Sequence, residues 1–361
     1  MIVEAKGEVK AEPAAMRLRR LPFQSVMWLG ALLVLASLVI ASARGAYTMG
    51  LGDIARTLWA VLSGGLDGAP GQLVFLNIRL PRLLLGLAAG AGLGMAGALM
   101  QGLFRNPLAD PGLIGVSSGA ALAAGITIVL GSLYFPDMPR SLGSWTLVAM
   151  AFAGSLGVTV LIYLLAQSEG GTRVGLMLLA GVAINALAGA GLGYLSFLAS
   201  DEQLRSIQFW LLGSLGGARW SSVLLVCAIV GMAACAGWRC ARPLNVIALG
   251  EAQAVLMGVD VERTKRHAIA VTALAVGAIT ATTGIIGFVG LLSPHCVRLV
   301  AGPDHRIVLP GSAMFGAALV LLADSVARTV VQPAELPLGV LTAFVGVPFF
   351  LLLLRRFKGR V

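Results

Sequence analysis

Charge is scarce in this 361-residue sequence. Asp, Glu, Lys and Arg make up 12% of it, against about a quarter in soluble globular chains. With 58% hydrophobic residues and a mean hydropathy of +0.92, a soluble domain is excluded. The chain contains no Gly-Lys pair, so it lacks the G-x-x-x-x-G-K-[ST] phosphate cradle and does not hydrolyse nucleotide by that route. Its four cysteines (Cys227, Cys235, Cys240, Cys296) show no C-x-x-C spacing and lie in or beside apolar runs. They read as small hydrophobes, not as metal ligands or disulfides. His267, His295 and His305 are scattered, and none pairs with Cys, Asp or Glu at metal-ligand spacing. His305 beside Asp304 reads as a solvated turn, and His295 after Pro294 as a structural histidine. No Ser-His-Asp arrangement has local support, which disfavours a membrane enzyme. The apolar runs are almost free of the ionisable groups that serve ion-coupled carriers as relays. No cofactor or metal site is expected. The net charge of +10 is not a nucleic-acid footprint, because the basic residues punctuate the apolar runs and form no single face.

What is present is a series of apolar runs. A membrane span needs roughly 20 such residues, which predicts an all-α polytopic protein of about ten transmembrane helices. The expected spans are 26–43, 83–104, 113–130, 145–166, 174–198, 220–238, 268–283, 285–300, 307–326 and 338–354. The first run, Val26–Ala43, ends in Ala41-Ser42-Ala43 and imitates a secretory signal. Its length favours an uncleaved first span. Residues 1–25 read as a tail outside the transmembrane domain of 26–361. Residues 44–78 and 201–217 read as outside segments, each with a short helix of its own. Gly86, Gly90 and Gly94 recur every fourth residue, which puts a groove of small residues on one face of the second span. Asp324 and Arg328 are four apart and can pair on one helix face. With both termini set in the cytoplasm, the inside connectors hold a clear majority of the 26 Lys and Arg, as the positive-inside rule requires.

The largest polar stretch is Arg239–His267, with Arg239, Arg242, Arg263, Lys265 and Arg266 between two apolar runs. Two short helical patterns meet in it around Leu249-Gly250-Glu251, and the charge bias puts it in the cytoplasm. A polytopic transporter with neither coupling carboxylates nor its own ATPase must borrow its energy. This stretch is large enough for a soluble ATPase to dock on. An ion-coupled secondary carrier is the rival class at this point.

Several long motifs, in order, resemble the FecCD-type permeases of ABC importers. They are Arg79-Leu80-Pro81-Arg82, GAGLGMAGALMQGLFRNPLADPGLIGVSSGA (90–120), LLAGVAIN (178–185), RPLNVIALGEAQAVLMGV (242–259), GFVGLLSPHCVRL (287–299), DHRIVLPGSAMFGA (304–317), LLADSVAR (321–328) and AELPLGVLTAFVGVPFF (334–350). The resemblance implies a homodimer in the bacterial inner membrane, two copies of a soluble P-loop ATPase, a periplasmic substrate-binding protein, and two inverted four-helix halves. Asp110-Pro111-Gly112 against Leu309-Pro310-Gly311 is a faint echo of those halves. Arg79, Arg82 and Arg328 match outer-face arginines that dock the binding protein. Arg242, Leu249, Gly250, Glu251 and Val259 fall in the ATPase-coupling helices. Asn106 and Leu108 match one inner gate loop. Thr172 is the nearest candidate in a second, whose glycines suggest a mobile loop. Met177, Asn185 and Phe344 are expected to line the pathway. The best-known members carry cobalamin, ferric siderophores or haem, and the apolar fifth and tenth spans suit haem best.

Overall fold

The computed structural model describes residues 21–45, 49–134, 140–331 and 333–358; most of the expected N-terminal tail lies outside them. Helix α1 (Phe23–Ala43) is followed by the amphipathic α2 (Leu51–Ser63). Then α3 (Pro70–Val74), a π turn (Phe75–Arg79) and α4 (Leu80–Leu103) run on as one helix of 34 residues. A 3-10 turn (Pro111–Ile114) opens α5 (Val116–Tyr134), and α6 (Arg140–Leu165) follows. An antiparallel hairpin of β1 (Gln167–Ser168) and β2 (Gly171–Thr172) leads into α7 (Val174–Leu198) and α8 (Asp201–Leu212). Helix α9 (Trp220–Trp238) precedes the short pair α10 (Ala241–Ile247) and α11 (Glu251–Leu256). The chain closes with α12 (Val261–Thr283), α13 (Val289–Ala301), α14 (His305–Ala327) and α15 (Leu338–Lys358).

Every apolar run read as a span carries a helix. Among the described residues, six helical stretches are long and apolar enough to cross a membrane by length and composition: 23–43, 70–103, 144–165, 174–198, 220–238 and 305–327. Shorter apolar helices cover 116–131, 289–301 and 338–352. Helix α12 starts seven residues before the expected span because Asp260 caps it, its Oδ1 accepting from the Arg263 amide at 2.9 Å. This draws Glu262, Arg263, Lys265 and Arg266 into the helix.

The core is organised around α4, which packs against α14, α13, α9 and α12. Its small-residue groove explains why. A Cβ on Gly90 would sit 2.3 Å from the Gly316 carbonyl oxygen, and one on Gly94 2.1 Å from that of Ser312. Helices α4 and α14 therefore touch backbone to backbone. Between helices in lipid, where burial of apolar surface supplies little drive, such close packing is a main source of affinity. Leu85, Leu99 and Met100 of α4, Ile279 of α12 and Leu321 of α14 are among the largest fully buried side chains.

Three expectations need correction. Residues 70–79, expected to precede the second helix, are helical and continuous with α4, because the π turn accommodates them without a break. The eighth expected span is the 13-residue α13, about 20 Å long at 1.5 Å per residue and short of the ~30 Å hydrocarbon core. The preceding segment 284–288 is irregular, with Phe288 at φ 65°, and is wrapped by protein. Ser214 donates to the Thr283 carbonyl at 2.7 Å, Leu338 to that of Gly213 at 2.9 Å, and a Cβ on Gly213 would lie 2.3 Å from the Ile285 oxygen. Non-helical backbone at membrane depth needs such enclosure. Finally, Asp110-Pro111-Gly112 begins the 3-10 turn, whereas Leu309-Pro310-Gly311 lies inside α14, so the echo marks no structural equivalence.

Candidate functional site

Two polar clusters sit at opposite ends of the antiparallel α4–α14 pair. The first gathers at the start of α4 and the end of α14. Asp324 occupies the centre: its carboxylate accepts from Arg82 Nη2 at 2.8 Å and from Arg328 Nε at 3.0 Å. Arg82 also donates to Glu335, in the connector before α15, at 2.8 and 2.9 Å. Arg328 reaches the carbonyls of Ala41 and Arg44 at 3.0 Å, and Arg79 that of Ser42 at 2.6 Å. The end of α1 is thus tied to α4 and α14. The expected Asp324–Arg328 pair is present, but as part of this larger network. The hydrogen bond from Arg82, helped by its charge, holds the Glu335 carboxyl below the usual carboxylate range. Arg79, Arg82 and Arg328 are all buried. They are not free rim charges, because guanidinium groups packed among apolar helices are tolerated only with partners close by.

The second cluster is built on the polar stretch. Gly250 adopts φ +127° and separates α10 from α11. Helix α10 is fixed to the start of α14 by Asn245, whose Nδ2 donates to Asp304 Oδ1 at 2.6 Å. Its Oδ1 accepts from the His305 amide at 2.9 Å and lies 2.7 Å from His305 Nδ1. His305 is therefore buried between helices and not a solvated turn. On the other side, Lys265 Nζ donates to Glu251 Oε2 at 2.7 Å and to the Thr172 carbonyl at 2.8 Å. The Thr172 amide donates to Glu262 Oε2 at 2.9 Å, its hydroxyl donates to Glu262 Oε1, and the Tyr163 hydroxyl also reaches that oxygen. The loop containing Gly170 and Gly171 is accordingly a braced hairpin, not the mobile loop its glycines suggest.

Beyond these anchors, the tip of α11 is apolar and exposed. Leu256 is 88% accessible and Leu249 66%, with Val255 and Met257 alongside. Exposed apolar clusters of this kind on a polar segment mark interaction surfaces. Arg242 is exposed on the same element pair, while Val259 packs inward with Ile247, Ala254 and Val261.

The other expected site residues divide. Asn106 is exposed and its Oδ1 accepts from the Leu108 amide at 2.9 Å, which shapes the turn after α4. Phe344 is 73% accessible on α15. Met177, only 1% accessible, belongs to the core cluster. It falls with Gly181 and Ala188 on the packed face of α7. Asn185 braces α7 against the 3-10 turn and α5, donating to the Gly112 carbonyl and meeting Ser118 Oγ. Asn245, Glu262 and Lys265 have no local signal of a role, since their partners lie 14 to 99 positions away.

This assembly of long apolar helices around a glycine seam, with a short helix pair projecting from one end, defines a polytopic transport permease. Residues 28–356 match the FecCD transport family, and the chain belongs to it. It is 43% identical over 334 residues to the hemin transport system permease protein HmuU of Yersinia pestis, covering 92% of this chain and 96% of that one. Identity is 38% over 333 residues to the vitamin B12 import system permease protein BtuC of Escherichia coli O127:H6, covering 92% and 95%. It is 44% over 286 residues to the cobalamin import system permease protein BtuC of Halobacterium salinarum, covering 79% and 74%. A solved structure described as a metal-chelate type ABC transporter in an inward-facing conformation superposes with a TM-score of 0.78 at 29% identity, covering 92% of this chain and 99% of that one.

Proposed function

We propose that the chain is the inner-membrane permease subunit of an ATP-driven importer that brings an iron or metal chelate, best haem, into the cytoplasm. It crosses the membrane ten times with both termini inside, and works as a homodimer on two copies of a soluble P-loop ATPase. The observation that carries this reading is the exposed apolar tip of α11 beside Arg242. It is a docking surface on a membrane chain that has no phosphate cradle of its own.

A periplasmic binding protein would land on the outer end, where Arg79, Arg82 and Arg328 anchor the local charge and an incoming carboxylate could share them with Asp324 and Glu335. Complementary charge between two partners chiefly sets orientation and on-rate. Haem is supported by the relative named for hemin transport, and by exposed Leu179, Val182 and Phe344 on α7 and α15. Cobalamin is the second reading, supported by the two relatives named for it; a ferric siderophore is the third.

The test is co-purification of the chain with its ATPase under mild detergent, followed by reconstitution with the binding protein. ATP-dependent uptake of haem in preference to cobalamin or ferric siderophore is expected. Uptake by the chain alone, sustained by a proton gradient, would overturn the reading in favour of a secondary carrier.

A further inference from the structure

The β1–β2 hairpin follows α6 and leads into α7 in sequence, yet its strongest side-chain bonds run elsewhere. Thr172 closes the hairpin and gives both its amide and its hydroxyl to one carboxylate, Glu262 on the first turn of α12. Its carbonyl accepts from Lys265, one turn further along α12. Lys265 is 4% accessible, and its second bond goes to Glu251, the first residue of α11. One residue of the hairpin thus has its amide, carbonyl and hydroxyl all engaged by α12, and the same lysine grips the helix at whose tip the apolar surface lies. Tyr163, near the end of α6, and Gln167 of β1 complete the cage through Glu262 Oε1 and the Thr172 hydroxyl.

Hydrogen bonds to charged groups are stronger and more directional than neutral ones, and a buried ammonium that loses a partner costs far more than the bond itself. Separation of the hairpin from α11 is therefore strongly opposed.

We infer that Lys265 and Glu262 form a clamp that makes the β1–β2 hairpin move as one body with α11, so that a displacement of α11 is delivered to the start of α7 through Thr172. Lys265 and Glu262 are positioning residues: they touch neither cargo nor nucleotide and act through Thr172. The inference rests on the docking of an ATPase at α11 proposed above. It adds the route by which that contact reaches the membrane helices.

The test uses the complete importer in proteoliposomes and measures ATP hydrolysed per cargo molecule imported. Thr172→Val keeps the volume of the side chain and removes its hydroxyl, whereas Thr172→Ser keeps the hydroxyl. Lys265→Met removes both ammonium bonds. Thr172→Val and Lys265→Met are expected to raise the ATP-to-cargo ratio about fivefold or more, and Thr172→Ser to stay within about twofold of wild type, given that a bond to a charged group is worth roughly a factor of ten. A purely structural role would lower hydrolysis and uptake together and leave the ratio alone.

Should Lys265→Met fail to give a monodisperse complex, the near-isosteric Thr172 pair decides. Wild-type ratios in Thr172→Val, or equal defects in Thr172→Val and Thr172→Ser, would overturn the clamp. Absence of ATP-driven uptake by the wild-type importer would instead defeat the functional reading beneath it.

Discussion

The two ends of the α4–α14 pair handle charge in opposite ways. At the outer end, the carboxylates of Asp324 and Glu335 meet Arg82, and Asp324 also meets Arg328, while backbone carbonyls of α1 take up further donors. The result is a brace that locks helix ends together and leaves mainly Glu335 facing outward. At the inner end, the charged groups run in a line from α11 through Lys265 to the hairpin, with an apolar tip left open. A closed network resists motion, and a linear one passes it on. The same residue types therefore serve stiffness at one end and transmission at the other.

Removing the hub of the brace should have the largest effect. Asp324→Ala leaves two buried guanidinium groups facing each other, and loss of one partner of a buried ion pair costs about 3–5 kcal/mol. A fall in folded yield and in detergent melting temperature is expected, while Asp324→Glu keeps most of both. Next comes the open tip. Leu256→Asp should cut ATPase retention on affinity resin by about tenfold, because a charge is placed where an apolar contact is needed, with no change in permease melting. If its melting temperature fell as far as that of Asp324→Ala, the contrast between brace and transmitter would be lost.

Glu251→Arg sets a second cation beside Lys265. It should uncouple hydrolysis from uptake while the chain stays folded, as read by the ATP-to-cargo ratio in proteoliposomes. The smallest effect belongs to Glu335→Gln at the partly exposed edge of the brace, about 0.5 kcal/mol for a solvent-screened pair. Because Arg82 lowers the folded-state pKa of Glu335, its contribution is complete above the ordinary carboxylate range and is lost as pH falls through the lowered value. Melting curves taken from pH 7 downward should show a shallower acid decline in Glu335→Gln than in wild type.

Much of this was legible in the residues. The four-residue glycine spacing of α4 announced a close helix contact, and Asp324 with Arg328 announced a pair, because both are one-turn regularities that sequence displays directly. The polar stretch revealed two helices and a hinge through Gly250. What stayed hidden depends on distant partners. Asn245 looks unremarkable until α14 brings Asp304 and His305 to it. Thr172 was found, but its glycine neighbours suggested freedom that Glu262 removes. The packed side of α7, on which Met177 lies, stayed hidden because an apolar helix without charged residues does not declare which side is packed. The shortness of α13 was hidden for a related reason: Gly284–Phe288 is as apolar as a helix and lies irregular only because neighbouring backbone encloses it.

The π turn at Phe75–Arg79 carries one residue more than an α-helical turn would, which advances the angular phase of the helix by about 100°. Below it, α4 is indexed to α14 through Gly90 and Gly94. Within its first residues, the Leu76 carbonyl is held by the indole N–H of Trp220 at the start of α9. One continuous rod is thereby keyed to two different neighbours, with the π turn as the offset between them. Deleting the exposed Asn77 would rotate the upper section against the lower like a key cut one notch out, turning Phe75 and Leu76 away from their contacts while the glycine seam below stayed engaged.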